Sequence, residues 1–502
     1  MVYLSDLVQK LGGSCSIAEA GASINDVKID SRQVGVGDLF AALPGKTVDG
    51  SRYIAEAAAR GAVAVLTPHE LDLRTVNLDM PGLYMAQWTH PGARKIVGSA
   101  AALVHGEPAR GLRIAGVTGT NGKTTTAHIL GHLLDYAGMR PAVLGTAGNR
   151  LSDGVVRNSR YTTPDATELQ RLFRQHREGG GETLVMEVSS HALVQERTAG
   201  LDFGIGIFTN LTREHLDYHG DMGRYAQAKA KLFSQLGPQS AAVLNIDDPA
   251  WAAMARAAQE TGARVVTYSV RSRADLSAAQ LRTGLGGTSF ALDGMGIKST
   301  ELNLSLRGRY NVENALAAGA AALLMGASPS AVVEGLATTP CAPGRLEVIP
   351  TGERGFHVYV DYAHSPDALE RVLKGLRHDL DEAAQGGRLI ALFGCGGDRD
   401  PGKRPLMGQV VGNLADVAVV TSDNPRSEDP DEIAAAILGG MKSSRAKQVI
   451  EIDRKSAIEA AIGMARPGDV VLVAGKGHET RQVIGDEVVV FDDRMVAREV
   501  LA

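Results

Sequence analysis

At 502 residues, 44% hydrophobic and 22% charged, the chain is too long for one hydrophobic core, and two to four domains are expected. A formal charge of -5 gives no general basic field for a polynucleotide, and aromatic residues, at 4%, are too few for base-stacking platforms. Three scattered cysteines, Cys15, Cys341 and Cys395, lack metal-ligand spacing and fit a reducing compartment, so a cytoplasmic location is expected.

In chain order, the opening "MVYLSDLVQKLGG" is interrupted by Asp6 and Lys10 and does not read as a signal peptide. Short β-branched runs then alternate with helical patterns: "AVAVLT", "LRIAGVT", "TLVMEV", "GIGIFT", "RLIALFG", "DVAVVT" and "DVVLVAG". Continuous apolar strands of this kind belong to parallel sheets covered on both faces. The fold expected is α/β in three domains: a small N-terminal α/β domain over 1–90, a central P-loop ATPase-like domain with a mainly parallel sheet over 91–340, and a C-terminal Rossmann-like domain over 341–502. The cuts fall at the Pro-Gly turns of "DMPGLYMAQWTHPGARK" and at "TTPCAPGR". Residues 270–306, rich in Ser, Gly and Thr, predict a peripheral antiparallel excursion. The longest apolar run, "ALAAGAAALLMGA", is shorter than the roughly 18 residues of a membrane span and reads as a buried helix, so no membrane insertion is expected.

"RIAGVTGTNGKTTTAHILGHLL" reads as a strand, a glycine turn and a helix starting near Lys123. Backbone N–H groups over Gly119, Thr120, Asn121, Gly122, Lys123, Thr124 and Thr125 can cradle a phosphate, with Lys123 adding positive charge and Thr124 a hydroxyl for magnesium. The spacing departs from the usual loop: Val117 stands where a glycine is required, and glycines occupy 116 and 119 instead. A tight strand-to-helix turn with no ligand is the plain alternative. Further on, Glu187 ends an apolar strand, where a carboxylate can hold magnesium, and His215, Asp217, His219 and Asp221 crowd into seven residues. Those four can equally form a polar loop, with Asp221 capping the helix that follows.

"GTNGKT" resembles the loop of the Mur ligase superfamily, the ATP-dependent amide ligases of peptidoglycan assembly and folate polyglutamylation. "MEVSSHALVQER" and "HLDYHGDM" followed by "YAQAK" are similar to its tripeptide-forming branch. That resemblance implies ATP and Mg2+, with Thr124, Glu187 and His215 as magnesium ligands and Lys229 carbamylated by carbon dioxide to supply a further oxygen ligand. Lys231 is a rival for that role, and on a helix the two point to nearly opposite sides. It further implies that Ile29, Ser31 and Lys46, Thr47 and Val48 line a pocket for the uridine diphosphate end of UDP-N-acetylmuramoyl-L-alanyl-D-glutamate. Thr162, Thr163, Ser189, Gln195 and Arg197 match contacts to the muramyl dipeptide. Asn311, Arg345 and Asp361 match nucleotide contacts, Asp361 being open to a second reading as a helix cap, and His364 is a candidate base.

Three strand-end loops of the last domain carry charge: "GCGGDRDPGKRP", "SDNPRSED" and "AGKGHET". Ends of neighbouring parallel strands lie close together, so their groups can converge on one small zwitterion. In the family, "DNPR" marks the enzymes that add meso-diaminopimelate, and the matching residues are Arg399, Asp423, Asn424, Pro425, Arg426, Gly475 and Glu479. The plain alternative is a turn in which Asp423 and Arg426 neutralise each other. The expected reaction is phosphorylation of the D-glutamate side-chain carboxylate, then attack by the amine of diaminopimelate, with Lys123, Lys229 and His364 as catalytic residues. A monomer that binds no nucleic acid is expected. The competing readings are a P-loop ATPase switch without ligase chemistry, a folate polyglutamylating ligase, and a non-catalytic nucleotide-sugar binder.

Overall fold

In the computed structural model, which describes residues 2–15, 21–45, 48–73, 85–284, 286–383 and 386–502, each of the short β-branched runs named above forms a strand. Two compact units result: Met1–Lys123 with Leu134–Thr267 and Leu324–Ala327, and Thr124–Leu133 with Tyr268–Leu323 and Ser328–Ala502.

Among the described residues, the first unit holds a two-stranded antiparallel pair, Val2–Tyr3 with Ser23–Ile24, and strands of two larger sheets. The smaller of these two has the order Ser14–Cys15, Ala86–Thr89, Ala64–Thr67, Leu39–Ala41, Val27–Lys28 and is parallel except at its first pair. Trp88 is fully buried in its core and satisfies its indole N–H on the Gly12 carbonyl at 2.9 Å. Helix Ala93–Val104 inserts Ala93, Val97, Ala100 and Ala101 into the same core, so packing there continues past residue 90. In the larger sheet, Pro141–Gly145, Thr183–Glu187, Arg113–Thr118, Phe203–Phe208 and Leu236–Asn245 run side by side and parallel. Every residue of Pro141–Gly145 and Thr183–Glu187 is buried, which is why "TLVMEV" reads as an unbroken apolar run rather than an alternating one.

The second unit begins with the antiparallel strands Leu276–Gly284, Gly287–Gly294 and Ile297–Leu304, as the composition of 270–306 predicts. Helix Arg309–Leu324 follows, buried from Ala315 through Ala322. A six-stranded sheet then has the order Glu347–Ile349, His357–Asp361, Val470–Ala474, Leu389–Phe393, Val417–Val420, Lys447–Ile450, parallel except at its first pair. Its two faces fill two separate cores: Leu389, Ala391 and Phe393 point to one, Ile390 and Leu392 to the other. That is the period-two signature of a sheet with helices on both sides.

Two glycines fix how the segment before this sheet meets the loop at 475–479. Gly344 (φ +62°) and Gly477 (φ +52°) lie against each other, and a Cβ on Gly344 would overlap the backbone of Gly477 and His478. Gly344→Ala is expected to destabilise the fold by more than about 2 kcal/mol, seen as a lower urea midpoint. A midpoint equal to that of the parent would contradict this packing.

Candidate active site

The phosphate-loop candidate follows strand Arg113–Thr118 and opens helix Lys123–Tyr136. The loop is held from behind: the Thr120 amide donates to the Asn210 carbonyl (2.8 Å) and the Asn121 amide to Asn210 Oδ1 (2.9 Å). Thr209 Oγ1 donates to the Asn121 carbonyl (2.6 Å). A Cβ on Gly119 would collide with the Thr209 side chain, so glycine at 119 rather than at 117 is what this arrangement demands. Gly122 takes φ +86°, the left-handed turn into the helix. Lys123 Nζ caps the loop carbonyls of Gly119 (2.9 Å) and Thr120 (2.7 Å), placing the ammonium over the turn.

Beside it, Glu187 is buried, and its carboxylate accepts from the Thr146 amide (2.8 Å) and the Thr146 hydroxyl (3.2 Å). His215 sits in the left-handed region (φ +55°), with its ring 4.8 Å from His191 and 6.3 Å from Tyr225. Burial, with Lys123 and Lys229 nearby, lowers its pKa and favours the neutral imidazole that can ligate a metal. Asp221 does cap helix Met222–Phe233, accepting from the Arg224 amide (2.8 Å), and His219 is buried against Ser190 Oγ (2.9 Å).

Lys229 and Lys231 separate as the helical period requires. Lys229 is fully buried with its ammonium 4.3 Å from the Tyr225 ring centre, whereas Lys231 is half-exposed and pairs with Glu196 at 3.4 Å. Burial, and secondarily Lys123, drives the pKa of Lys229 well below that of a free lysine. Among the described residues no group of three or more His, Cys, Asp or Glu side chains is placed to hold a metal.

The muramyl-dipeptide candidates gather on Thr163. Its hydroxyl donates to the Glu187 carbonyl (2.9 Å), the Ser189 amide donates to it (3.0 Å), and Arg197 Nη1 donates to its carbonyl (2.8 Å). Arg197 also holds Gln195 Oε1 (2.7 Å) and lies 4.4 Å over the Tyr161 ring, while the hydroxyls of Thr162 and Thr146 are hydrogen-bonded at 3.0 Å. In the N-terminal segment, Ser31 is buried and donates to Glu56 Oε2 (2.7 Å), and Asp30 caps the short helix there. Ile29 is half-buried and Val48 exposed; Lys46 and Thr47 lie outside the described residues.

In the second unit, Arg345 Nη2 donates to Thr124 Oγ1 (3.0 Å), and its guanidinium lies 4.7 Å from the Tyr362 ring centre. Arg345, Asn311, Arg307 and Cys341 line a cavity of about 410 Å³. Asn311 is buried, its amide donating to the Arg307 carbonyl (2.8 Å). Burial pushes the Cys341 thiol up to about 12, so it stays protonated. Asp361 is not a helix cap: it accepts from the Leu346 (2.6 Å) and Ala363 (2.7 Å) amides, while Ser365 caps the following helix through the Ala368 amide (3.3 Å). His364 Nδ1 lies 2.8 Å from the Tyr362 carbonyl, which places the ring proton on Nδ1.

Three loops close over the ends of Leu389–Phe393, Val417–Val420 and Val470–Ala474. The alternative of an internally neutralised turn fails, because Arg426 Nη1 donates to the carbonyls of Gly397 (2.7 Å) and Asn424 (3.4 Å), and Asp423 takes its hydrogen bond from Asn424 Nδ2 (3.1 Å). Asn424 Nδ2 also reaches Glu479 Oε2 (3.0 Å), joining the second loop to the third. Gly475 (φ +117°) leaves room for the Asp423 carboxylate, which a Cβ there would meet at 2.6 Å. Arg399 is exposed and donates to the Asp398 carbonyl (3.2 Å). Sequence reasoning passed over two residues of this cluster, Lys476 and Arg454, both fully buried. A lysine between two glycines directly after a buried strand was the available signal for the first.

Three family models cover most of the chain: "Mur ligase family, catalytic domain" over residues 23–110, "Mur ligase middle domain" over 117–322 and "Mur ligase, glutamate ligase domain" over 344–477. The chain is 41% identical over 501 residues to the "UDP-N-acetylmuramoyl-L-alanyl-D-glutamate--2,6-diaminopimelate ligase" of Syntrophomonas wolfei, covering 99% of each. It is 43% identical over 478 residues to the Geobacillus kaustophilus protein of the same name, covering 94% of each. A solved structure with that name superposes with a TM-score of 0.68 at 35% identity, over 100% of this chain and 98% of that one. A Mycobacterium tuberculosis folylpolyglutamate synthase shares the fold alone, at 18% identity and a TM-score of 0.63. With the loop, the buried lysine and the charged strand-end cluster all in place, the chain belongs to the Mur ligase family of ATP-dependent, amide-forming ligases.

Proposed function

We propose that this ligase joins meso-2,6-diaminopimelate to the D-glutamate side-chain carboxylate of UDP-N-acetylmuramoyl-L-alanyl-D-glutamate in peptidoglycan precursor synthesis. The carrying observation is the mixed-charge cluster in which Asp423, Asn424, Arg426 and Glu479 meet beyond adjacent strand ends. The names of the full-length relatives support the same reading. A diamino diacid has an amino-acid head at each end; one reacts, and the other needs a guanidinium for its carboxylate and carboxylates for its ammonium. Arg399 and Arg426 supply the first, Asp423 and Glu479 the second, with Asn424, Pro425 and Gly475 shaping the pocket.

In this reading, residues Gly119–Thr125 take the phosphates of ATP, and Asn311, Arg345 and Asp361 contact the nucleotide. The muramyl dipeptide meets Thr162, Thr163, Ser189, Gln195 and Arg197, and the uridine diphosphate end Ile29, Ser31 and Lys46 to Val48. The γ-phosphoryl group passes to the glutamate carboxylate, giving an acyl phosphate and ADP; the amine nitrogen then attacks the acyl carbon and phosphate leaves. Lys123 and Arg345 offset the charge on the transferring oxygens, and most of the rate comes from positioning. His364 is the candidate base for the proton the amine must lose. Glu187, His215 and Lys229 would hold Mg2+, which supplies further charge neutralisation when bound. With the Thr124 hydroxyl as a further oxygen, a carbamate on Lys229 would add the oxygen ligands a hard cation prefers, since no group of three or more His, Cys, Asp or Glu side chains among the described residues is placed to hold one. A buried lysine biased toward the neutral amine is the form that adds to carbon dioxide, forming the N–C bond of a carbamate and releasing a proton. We infer a boundary near 340, a first boundary moved from near 90 to beyond helix Ala93–Val104, which packs in the N-terminal core, a cytoplasmic location and a monomer. No helix among the described residues is long and apolar enough to cross a membrane.

The test is ATP turnover with a panel of amino acids and product mass by spectrometry. ATP cleavage requiring both the nucleotide dipeptide and diaminopimelate supports the ligase; hydrolysis indifferent to both favours an ATPase switch. Degassed, bicarbonate-free buffer is expected to lower activity, the more so as pH falls and the Lys229 amine protonates, and added bicarbonate is expected to restore it. Activity insensitive to bicarbonate at every pH, with no carbon dioxide adduct by mass, would remove the carbamate.

A further inference from the structure

We propose that Lys476 and the hairpin strand Arg481–Ile484 are the positioning apparatus of the diaminopimelate pocket, setting the pose of Glu479 and of the loop Asp423–Arg426. The inference rests on the reading above that this pocket takes the distal end of diaminopimelate.

Lys476 is fully buried, and its ammonium has three N–H donors. Three acceptors surround it: Asn424 Oδ1 (3.2 Å), Glu479 Oε2 (3.0 Å) and the Arg481 carbonyl (2.6 Å). No donor remains for a substrate, so Lys476 acts through the groups it holds. It draws one oxygen of Glu479 inward and leaves Oε1 for an ammonium. Asn424 is closed in the same way, because its amide also donates to Asp423 and Glu479 and its carbonyl oxygen also accepts from the Val483 amide (3.0 Å). Its orientation is thereby fixed, and with it the order of the two loops.

The hairpin, Arg481–Ile484 paired with Glu487–Val490, supplies the rest. Gln482 is buried and its side-chain amide donates to the Asp423 carbonyl (2.8 Å). The Arg426 amide donates to the Val483 carbonyl (3.1 Å), and the Gly485 amide to the Arg426 carbonyl (2.7 Å). Arg426 is thus clamped on both sides at φ +54°, a left-handed backbone that arginine does not choose unaided. The clamp turns Nη1 onto the Gly397 and Asn424 carbonyls. Nε and Nη2, without partners among the described residues, form the edge that grips a carboxylate as a fork. A pocket preset in this way discriminates by rejecting ligands that leave the fork empty, since a guanidinium covered by the ligand and left unpaired costs more than a lost contact.

The test uses the full-length protein with Gln482→Leu and Lys476→Met, each assayed for the KM of diaminopimelate, of L-lysine and of ATP. Gln482→Leu removes one donor and no charge. It is expected to raise the KM for diaminopimelate about tenfold and to narrow the preference over L-lysine, with the KM for ATP unchanged within about twofold. Lys476→Met is expected to do the same more strongly; should it fail to fold, the Gln482→Leu result decides alone. An unchanged diaminopimelate KM in Gln482→Leu, or equal rises for diaminopimelate and ATP, overturns the inference. A parent enzyme that joins no diaminopimelate overturns the pocket assignment itself, and the inference with it.

Discussion

Arg426→Ala is expected to lower kcat/KM for diaminopimelate by on the order of a hundredfold while leaving the KM for ATP within about twofold. The expectation follows from how little else the guanidinium does. Among the described residues it pairs with no carboxylate, and its hydrogen bonds run from one nitrogen to the Gly397 and Asn424 carbonyls. Removing it therefore disturbs the fold slightly and the ligand greatly. L-Lysine, which has no second carboxylate, should suffer much less from the same change, so the two amino acids should move toward parity. Steady-state kinetics with each substrate varied in turn checks this, and comparable losses for ATP and for diaminopimelate would refute the assignment of Arg426.

Arg454→Met is expected to destabilise the protein by about 3–5 kcal/mol, because it strands a buried carboxylate. Arg454 and Asp493 are both fully inaccessible and bonded side by side, Nε to Oδ1 at 2.8 Å and Nη2 to Oδ2 at 2.7 Å. The same guanidinium donates to the Ser422 carbonyl (3.0 Å) and the Ala474 carbonyl (3.0 Å), the residues just before Asp423 and Gly475. It therefore ties together the roots of two loops of the amino-acid pocket. Arg454→Met with Asp493→Leu is expected to be less harmful than Arg454→Met alone, since no lone charge is then left inside. Urea unfolding of both single variants and the double variant decides the matter; single variants with the parent's midpoint would show that the pair contributes nothing.

The strands were legible because a sheet covered on both faces needs apolar residues without interruption, and "DVVLVAG" or "TLVMEV" can be little else. The phosphate loop and the Asp423–Arg426 turn were legible for a related reason: glycine, proline and charge directly after such a strand have few structural uses. Lys229 was picked over Lys231 by the family resemblance alone, since the helical period gives only that they diverge; that Lys229 faces inward and Lys231 outward is visible in the packing. Gln482 and Arg454 escaped notice because their partners are distant in sequence, Asp493 standing 39 residues beyond Arg454 and Asp423 59 residues before Gln482; Lys476 has Glu479 and Arg481 close by in the chain, but only the fold brings Asn424 to it. Polar residues that serve other polar residues leave no periodic trace. Asp361, readable from its strand end as a cap, turned out to clasp backbone amides on either side of its own strand, a use that depends on where the chain returns.

Helix Arg309–Leu324 carries one more consequence. From Ala315 to Ala322 every residue is buried, and all but Leu316 are alanine or glycine. A side chain with no rotamers cannot swing aside, so whatever lies against this helix rests almost on its backbone, and the spacing is set by single methyl groups. Bulk is thus the inherited quantity along this segment. A substitution that thickens it has nowhere to go except into a displacement of the whole rod, and with it of Asn311 and Asn314 at the leading end, where one holds the Arg307 carbonyl and the other the hydroxyl of Thr126.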